Sequence, residues 1–274
     1  MHITKMHGAG NDFIIIDNFA HKFSFDELSA LARRLCTQHT SVGADGLMAV
    51  AEPTRGGDYS MLFFNSDGSA GEMCGNGARC IARYGHDHGL AGDVQRVDTV
   101  SGTVIGERMD YNLYRVRLND PSVIDLHRPV RVDGIEYDCS YVELGCPGLP
   151  HAVLIMPDYD SIPRAELAAL GAALRHAEEF PKGANVSFVK PLGGKRVQAV
   201  TYERGVEDFT LACGTGCGAL TTALTLRGVL SGEAEISMPG GTLHVSLKAE
   251  GGTVSDIRLT GPAVTVFEGE LADM

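Results

Sequence analysis

Apolar positions along the chain follow two rhythms, and each predicts a different element. Short β-branched runs at residues 13–17 (FIIID) and 152–156 (AVLIM) are too brief for helices and read as buried strands. After each run the period lengthens. Leu28, Leu31 and Leu35 mark one helical face, and Leu167, Leu170 and Leu174 mark another. Short strands then follow at 48–50 with 61–64, and at 186–189 with 197–202. Each set leads through a glycine-rich turn into a second apolar helix, at 78–84 and at 218–230, and a last strand is expected at 264–267 after Gly261-Pro262.

The same succession thus occurs twice, and residue identities repeat with it. MCGNGARC (73–80) echoes ACGTGCGA (212–219), with Cys74 and Cys213 139 residues apart. FFNSDGSAGEMC (63–74) lies without a gap on YERGVEDFTLAC (202–213), setting Phe64 on Glu203 and Asn65 on Arg204. NDFIIID (11–17) lies on PHAVLIM (150–156) at the same offset. At an offset of 140, VGADGLMAV (42–50) lies on KGANVSFVK (182–190), and FDELSALARRLCTQH (25–39) on AELAALGAALRHAEE (165–179). These echoes predict an α+β protein made of two pseudo-symmetric α/β domains from an internal duplication. The first domain is expected over residues 1–118, joined by the C-terminal strand 263–274, and the second over 119–262. The polar, proline-bearing LNDPSVIDLHRP (118–129) is the expected boundary.

Composition narrows the partners. The 274 residues carry 35 acidic and 23 basic side chains, a net charge of −12, and no lysine or arginine run, which sets nucleic acid aside. The first twenty residues hold no apolar stretch long enough for a signal peptide or a span, so no membrane is expected and the cytoplasm is the expected compartment. Seven cysteines, an odd number without a secretory signal, read as reduced thiols. Their spacing suits no zinc set, and the HDH at 86–88 reads as a solvated turn, so no metal is expected.

The two C-G-x-G turns carry the candidate chemistry. Cys74 and Cys213 each stand directly before a helix, where unpaired N–H groups and the helix dipole favour a thiolate and can hold a carboxylate. Gly75, Gly77, Gly214 and Gly216 allow a ligand close to the backbone. Two such cysteines on opposite sides of one carbon would invert a stereocentre, one removing a proton and the other supplying one. Backbone donors aimed at the α-carboxylate would stabilise the carbanion. No pyridoxal lysine motif or dinucleotide fingerprint is present, so no cofactor is expected. Other readings stay open. The cysteines could be packed helix caps, Asn65 and Asn185 turn residues, and Glu203 with Arg204 a solvated strand end. Of other classes, a thiol redox protein would join the two cysteines reversibly, and an amino-acid-binding module would hold a ligand without exchanging its α-proton.

The residues GAGNDF (8–13), GADGL (43–47), FNSDGSAGEMCGNGARC (64–80), GANVSFV (183–189), YERGVED (202–208) and TLACGTG (210–216) together resemble diaminopimelate epimerase over nearly the whole chain. The resemblance implies two domains, each a curved sheet around a central helix, with a substrate cleft between them. It also implies interconversion of LL- and meso-diaminopimelate in lysine and cell-wall precursor synthesis. By matched position, it makes Cys74 and Cys213 the acid–base pair, with Gly75, Asn76, Gly214 and Thr215 donating to the α-carboxylate. Asn11 lines the site, and Asn65, Asn185, Glu203 and Arg204 hold the distal end of this small amino-acid substrate. Two copies pairing as a homodimer stay open. The chain departs from the family pattern in two places. GCPGLPH (145–151) replaces a G-N-P-H segment, and Phe209 stands where glutamate is common, which leaves open a racemase of the same fold for histidine, glutamate or another diamino acid.

Overall fold

The computed structural model describes residues 1–71 and 74–272. Glu72 and Met73 of the FNSDGSAGEMC segment, and Asp273 and Met274 of the expected segment 263–274, lie outside the described residues. The chain divides into two compact units, Met1–Val116 with Thr260–Met274, and Arg117–Leu259.

Unit 1 opens with a hairpin of β1 (His2–Gly8) and β2 (Asn11–Asp17). Its two linking residues, Ala9 and Gly10, both have positive φ (55° and 88°), the turn geometry whose twist matches the flanking strands. Helix α1 (Phe25–Leu35) starts in a capping box. The Ser24 side chain accepts from the Glu27 N–H, and Glu27 accepts from the Ser24 N–H at 2.8 Å. Leu28, Leu31 and Leu35 are buried against β3 (Gly46–Ala51) and β4 (Tyr59–Asn65). Helix α2 (Gly75–Asp87) is buried from Gly75 through Gly85, with β1, β2, β5 (Val94–Thr99) and β6 (Gly102–Asp110) packed around it. Small residues make this enclosure possible. A Cβ on Gly85 would lie 2.3 Å from Tyr59 Oη, and one on Gly106 would lie 2.7 Å from the Ala82 Cβ. Strand β7 (Leu113–Arg117) follows β6.

Unit 2 has β8 (Pro121–Val132), β9 (Ile135–Leu144), β10 (Leu149–Ile155), α3 (Arg164–Arg175), β11 (Asn185–Gly193) and β12 (Arg196–Tyr202). The short β13 (Phe209–Thr210), α4 (Gly214–Leu226), β14 (Glu233–Met238), β15 (Gly241–Glu250) and β16 (Thr253–Pro262) complete its elements. Strand β17 (Val264–Glu270) belongs to unit 1, where it pairs with β1. Helix α4 is the counterpart of α2: it is almost wholly buried, with β8–β11, β14 and β15 around it.

Strand pairing carries the duplication. From β1 through β6 successive neighbours pair antiparallel, parallel, antiparallel, parallel and antiparallel. The same alternation runs through β9, β10, β11, β12, β14 and β15. Beyond the first strand of each series, β17 borders β1 in unit 1 and β8 borders β9 in unit 2.

Beside the boundary segment 118–129, most of which β8 covers in pairing with β9, three local expectations change. Register shifts at Pro121/Val123 and Asp125/Arg128 absorb the segment's proline and polar residues. The HDH at 86–88 is the end of α2, with His88 as its C-cap stacked on the Tyr84 ring 3.9 Å away. The helices at 78–84 and 218–230 begin earlier, directly after the cysteines, at Gly75 and Gly214. The gapless match of 63–74 on 202–213 slips by one residue in the loop. The Asn65 N–H donates to the Ser69 carbonyl, four residues on, and the Glu203 N–H to that of Asp208, five residues on, so the second loop is one residue longer. No helix among the described residues is long and apolar enough to cross a membrane.

Leu28 is fully buried, so Leu28→Ala should destabilise the protein by about 2–5 kcal/mol. Ser24→Ala, which breaks the capping box, should cost about 1 kcal/mol. Urea-unfolding midpoints of the two variants will rank in that order, and the reverse order would contradict the assignment of α1 as a core helix.

Candidate active site

In unit 1, Cys74 is the N-cap of α2, with extended backbone (φ −121°, ψ 115°), in the position more usually filled by serine or aspartate. Its Sγ accepts from the Gly77 N–H at 3.5 Å and donates to Asn11 Oδ1 at 3.4 Å. Gly77 leaves room for Met48, because a Cβ there would lie 2.2 Å from Met48 Cε and displace the end of that side chain. Asn76 Nδ2 also donates to Asn11 Oδ1, at 3.4 Å, while Asn76 Oδ1 accepts from the fully buried Arg79 at 2.9 Å. The Arg79 guanidinium also donates to the Gly75 carbonyl at 3.1 Å, so one arginine braces the turn that holds Cys74, Gly75 and Asn76. Asn11 in turn donates through Nδ2 to Asp45 at 2.5 Å. Cys74, Gly75, Asn76 and Asn11 therefore form one bonded group. Asn65 stands apart from it, exposed at the end of β4 and bonded to Ser69 at 2.9 Å.

In unit 2, Cys213 caps α4 with nearly the same backbone (φ −110°, ψ 104°), its Sγ 3.8 Å from Thr215 Oγ1. A Cβ on Gly216 would lie 3.1 Å from that sulfur and 3.4 Å from Ser187 Oγ, so Gly216 lets this turn sit close on β11. Asn185, the first residue of β11, is buried; its Nδ2 donates to the Pro150 carbonyl at 3.3 Å and its Oδ1 accepts from the Arg204 N–H at 2.9 Å. The Arg204 guanidinium donates to the Lys182 carbonyl at 3.1 Å and is exposed. Glu203, half-buried, accepts from Thr210 Oγ1 at 2.5 Å. Asn185, Arg204 and Glu203 thus form one loop cluster, and Cys213, Gly214 and Thr215 share the turn after β13.

The two thiols do not share an environment. Cys213 is 6% exposed, and burial, followed by the Glu203 charge, pushes it well above the ordinary thiol range, against the pull of the Gly216 N–H and Thr215. Burial likewise pushes Cys36, Cys80 and Cys139 up to about 12, whereas Cys146 is exposed. Asp45 is raised by burial, against its bonds from Asn11 and the Asp12 N–H.

Sequence reasoning missed two polar residues beside these groups. His151 is fully buried opposite Asn185 across the β10–β11 pair, and neither ring nitrogen has a hydrogen-bond partner among the described residues. Burial, then the Arg204 charge, lowers it to about 3, so it is neutral near pH 7. Asp45 holds Asn11, and its place opposite Asn185 in the repeat was the available signal. Of the two departures from the family pattern, Phe209 packs edge-on to Tyr202, with ring centroids 5.8 Å apart, under the Arg164 guanidinium. The GCPGLPH segment begins in the turn between β9 and β10, with Cys146 and Pro147 exposed, and ends inside β10 at His151.

A family model described as diaminopimelate epimerase matches residues 3–119 and 146–266. The chain is 36% identical to the diaminopimelate epimerase of Aquifex aeolicus, across 100% of this chain and 98% of that protein. It is 37% identical to that of Nitrosomonas europaea, across 98% of each. Among solved structures, a PhzF-family phenazine biosynthesis protein from Bacillus anthracis superimposes with a TM-score of 0.73 at 14% identity, covering 100% of this chain and 99% of that one. A hydroxyproline epimerase from Agrobacterium vitis with bound trans-4-hydroxy-L-proline gives 0.70 at 16%, covering 99% and 90%. At such identities these two structures share the two-domain duplicated fold.

The burial differences set an order of reactivity. In the folded protein, iodoacetamide should label Cys146 before Cys36, Cys80, Cys139 and Cys213, as read by peptide mass spectrometry. Because burial raises Cys213, its labelling should keep accelerating up to about pH 9 without levelling off. A plateau near neutral pH would contradict the buried thiol.

Proposed function

The chain belongs to the diaminopimelate epimerase family, and on that premise we propose that it interconverts LL- and meso-diaminopimelate by cofactor-independent proton transfer at the α-carbon, with Cys74 and Cys213 as the acid–base pair. Family membership makes it an isomerase. The observation that carries the mechanism is that each unit ends its strand–helix–hairpin series in a cysteine capping a buried thirteen-residue helix. A helix N-terminus stabilises negative charge, so it offers each sulfur N–H groups that counter the effect of burial, and its first N–H groups can bind a carboxylate.

In this reading one sulfur takes the α-proton as a thiolate and the other delivers its S–H proton to the opposite face. Exchanging the two roles runs the reverse reaction. Gly75, Asn76, Gly214 and Thr215 supply donors to the α-carboxylate, where charge gathers as the proton leaves. Asn11 lines the site. Asn65, Asn185, Glu203 and Arg204 take the distal amino-acid end, with Glu203 suited to the ammonium and Arg204 to the carboxylate. The place of the reaction is lysine and cell-wall precursor synthesis, in the cytoplasm, with no nucleic-acid or membrane partner. The acidic balance and the absence of basic runs support that setting. A homodimer is the assembly we propose.

Proton NMR in D2O tests the reading. The α-proton signal of LL-diaminopimelate should disappear, while histidine, glutamate, lysine and 2,4-diaminobutyrate keep theirs. Exchange on one of those instead would assign a different substrate to the same pair of thiols. Cys74→Ala and Cys213→Ala should each slow exchange by about 10²- to 10⁴-fold with unchanged circular dichroism. Near-normal turnover in either would end the two-thiol mechanism.

A further inference from the structure

The two cysteine turns differ in what faces the sulfur. In unit 1 the Asn11 amide lies between Cys74 and Asp45, and its two ends are chemically distinct. Asp45 Oδ2 accepts from Asn11 Nδ2 at 2.5 Å and from the Asp12 N–H at 3.1 Å. A carboxylate only accepts, so it fixes the NH2 end of the amide on its own side. The carbonyl oxygen then points the other way, where Cys74 Sγ and Asn76 Nδ2 each donate to it at 3.4 Å.

Asp45 is itself held on several sides. Its N–H donates to Asp12 Oδ1 at 2.9 Å and its carbonyl accepts from the Ser66 N–H at 3.1 Å. Lys5 pairs with Asp12 at 2.5 Å and donates to the Gly43 carbonyl. Among the described residues, the charged and titratable groups around this network include Lys5, His7 and Asp12 on β1 and β2, Cys36 after α1, Asp45 before β3, and Arg79 and Cys80 on α2. Among the described residues, the corresponding positions of unit 2 are filled differently. At the repeat offset Pro150 replaces Asn11, and Asn185, in the place of Asp45, donates to the Pro150 carbonyl.

An acceptor oxygen against a sulfur favours S–H over S⁻, and here it opposes the Gly77 N–H and the α2 N-terminus. We propose that Asp45 is a positioning residue: it locks the Asn11 amide with its oxygen against Cys74 Sγ, and so raises the pH at which this cysteine gives up its proton in the free enzyme. The proposal rests on the reading of Cys74 as a proton carrier.

The test follows Cys74 alone, without substrate. Its iodoacetamide labelling rate is measured on the whole chain between about pH 5.5 and 9.5 by peptide mass spectrometry. Asp45→Asn keeps the side-chain shape but lets residue 45 donate, freeing the Asn11 amide to turn over. The midpoint of the profile should then fall by about one pH unit, or about tenfold more thiolate below it. Asn11→Ala alone should lower the midpoint similarly, and adding Asp45→Asn to it should change nothing further. A wild-type midpoint in either single variant overturns the proposal. So does an equal shift from Asp45→Asn in the Asn11→Ala background, which would assign the effect to the lost charge rather than to amide orientation. Because this readout needs no turnover, its failure leaves the α-proton exchange experiment standing. Loss of that exchange with the labelling shift intact would fault the function instead.

Discussion

Enclosing a helix within a sheet constrains everything else in this protein. A sheet can close around α2 or α4 only if the helix is thin, and the chain supplies Gly75, Gly77, Ala78, Ala82 and Gly85 in one, and Gly214, Gly216, Gly218, Ala219 and Ala223 in the other. A buried helix also has an end with unpaired N–H groups that must be satisfied. In unit 1 the Cys74 sulfur takes part of that duty, meeting the Gly77 N–H, and in unit 2 the Gly216 N–H acts on Cys213. Packing and candidate chemistry therefore meet in one place: the glycines that let the helix be buried begin directly after the cysteine at its N-terminus.

Much of this was legible in the sequence because it depends on period and spacing. The leucine stripes of α1 and α3 gave those helices, and the repeat spacing gave the duplicated strand order later seen in the pairing. The cysteines were legible because they stand before glycines in both copies. Less visible were features set by tertiary contact. That the boundary segment 118–129 carries β8 depends on partners that β9 supplies, with register shifts accommodating its polar residues. The one-residue difference between the loops after Asn65 and Glu203 lies where no apolar period fixes an alignment. His151 sits within an apolar strand and has no local sign of its isolation, which arises only from neighbours distant in sequence.

The duplicated units have diverged most around their polar groups. Unit 1 surrounds its asparagine with two carboxylates and a lysine, whereas unit 2 places a neutral histidine and an asparagine at the corresponding strand positions. The backbone at the two caps has meanwhile stayed alike, with φ −121° and ψ 115° at Cys74 against φ −110° and ψ 104° at Cys213. A shared scaffold thus carries two unequal electrostatic settings for the same side chain.

Strand β17 occupies in unit 1 the place that β8 occupies in unit 2, yet the whole of unit 2 separates it in sequence from its partner β1. During synthesis from the N-terminus, unit 2 therefore leaves the ribosome before the first unit can be closed. Until then the outer edge of β1 presents unpaired N–H and C=O groups, the kind of edge on which chains associate wrongly. The unit made first is the last to be completed.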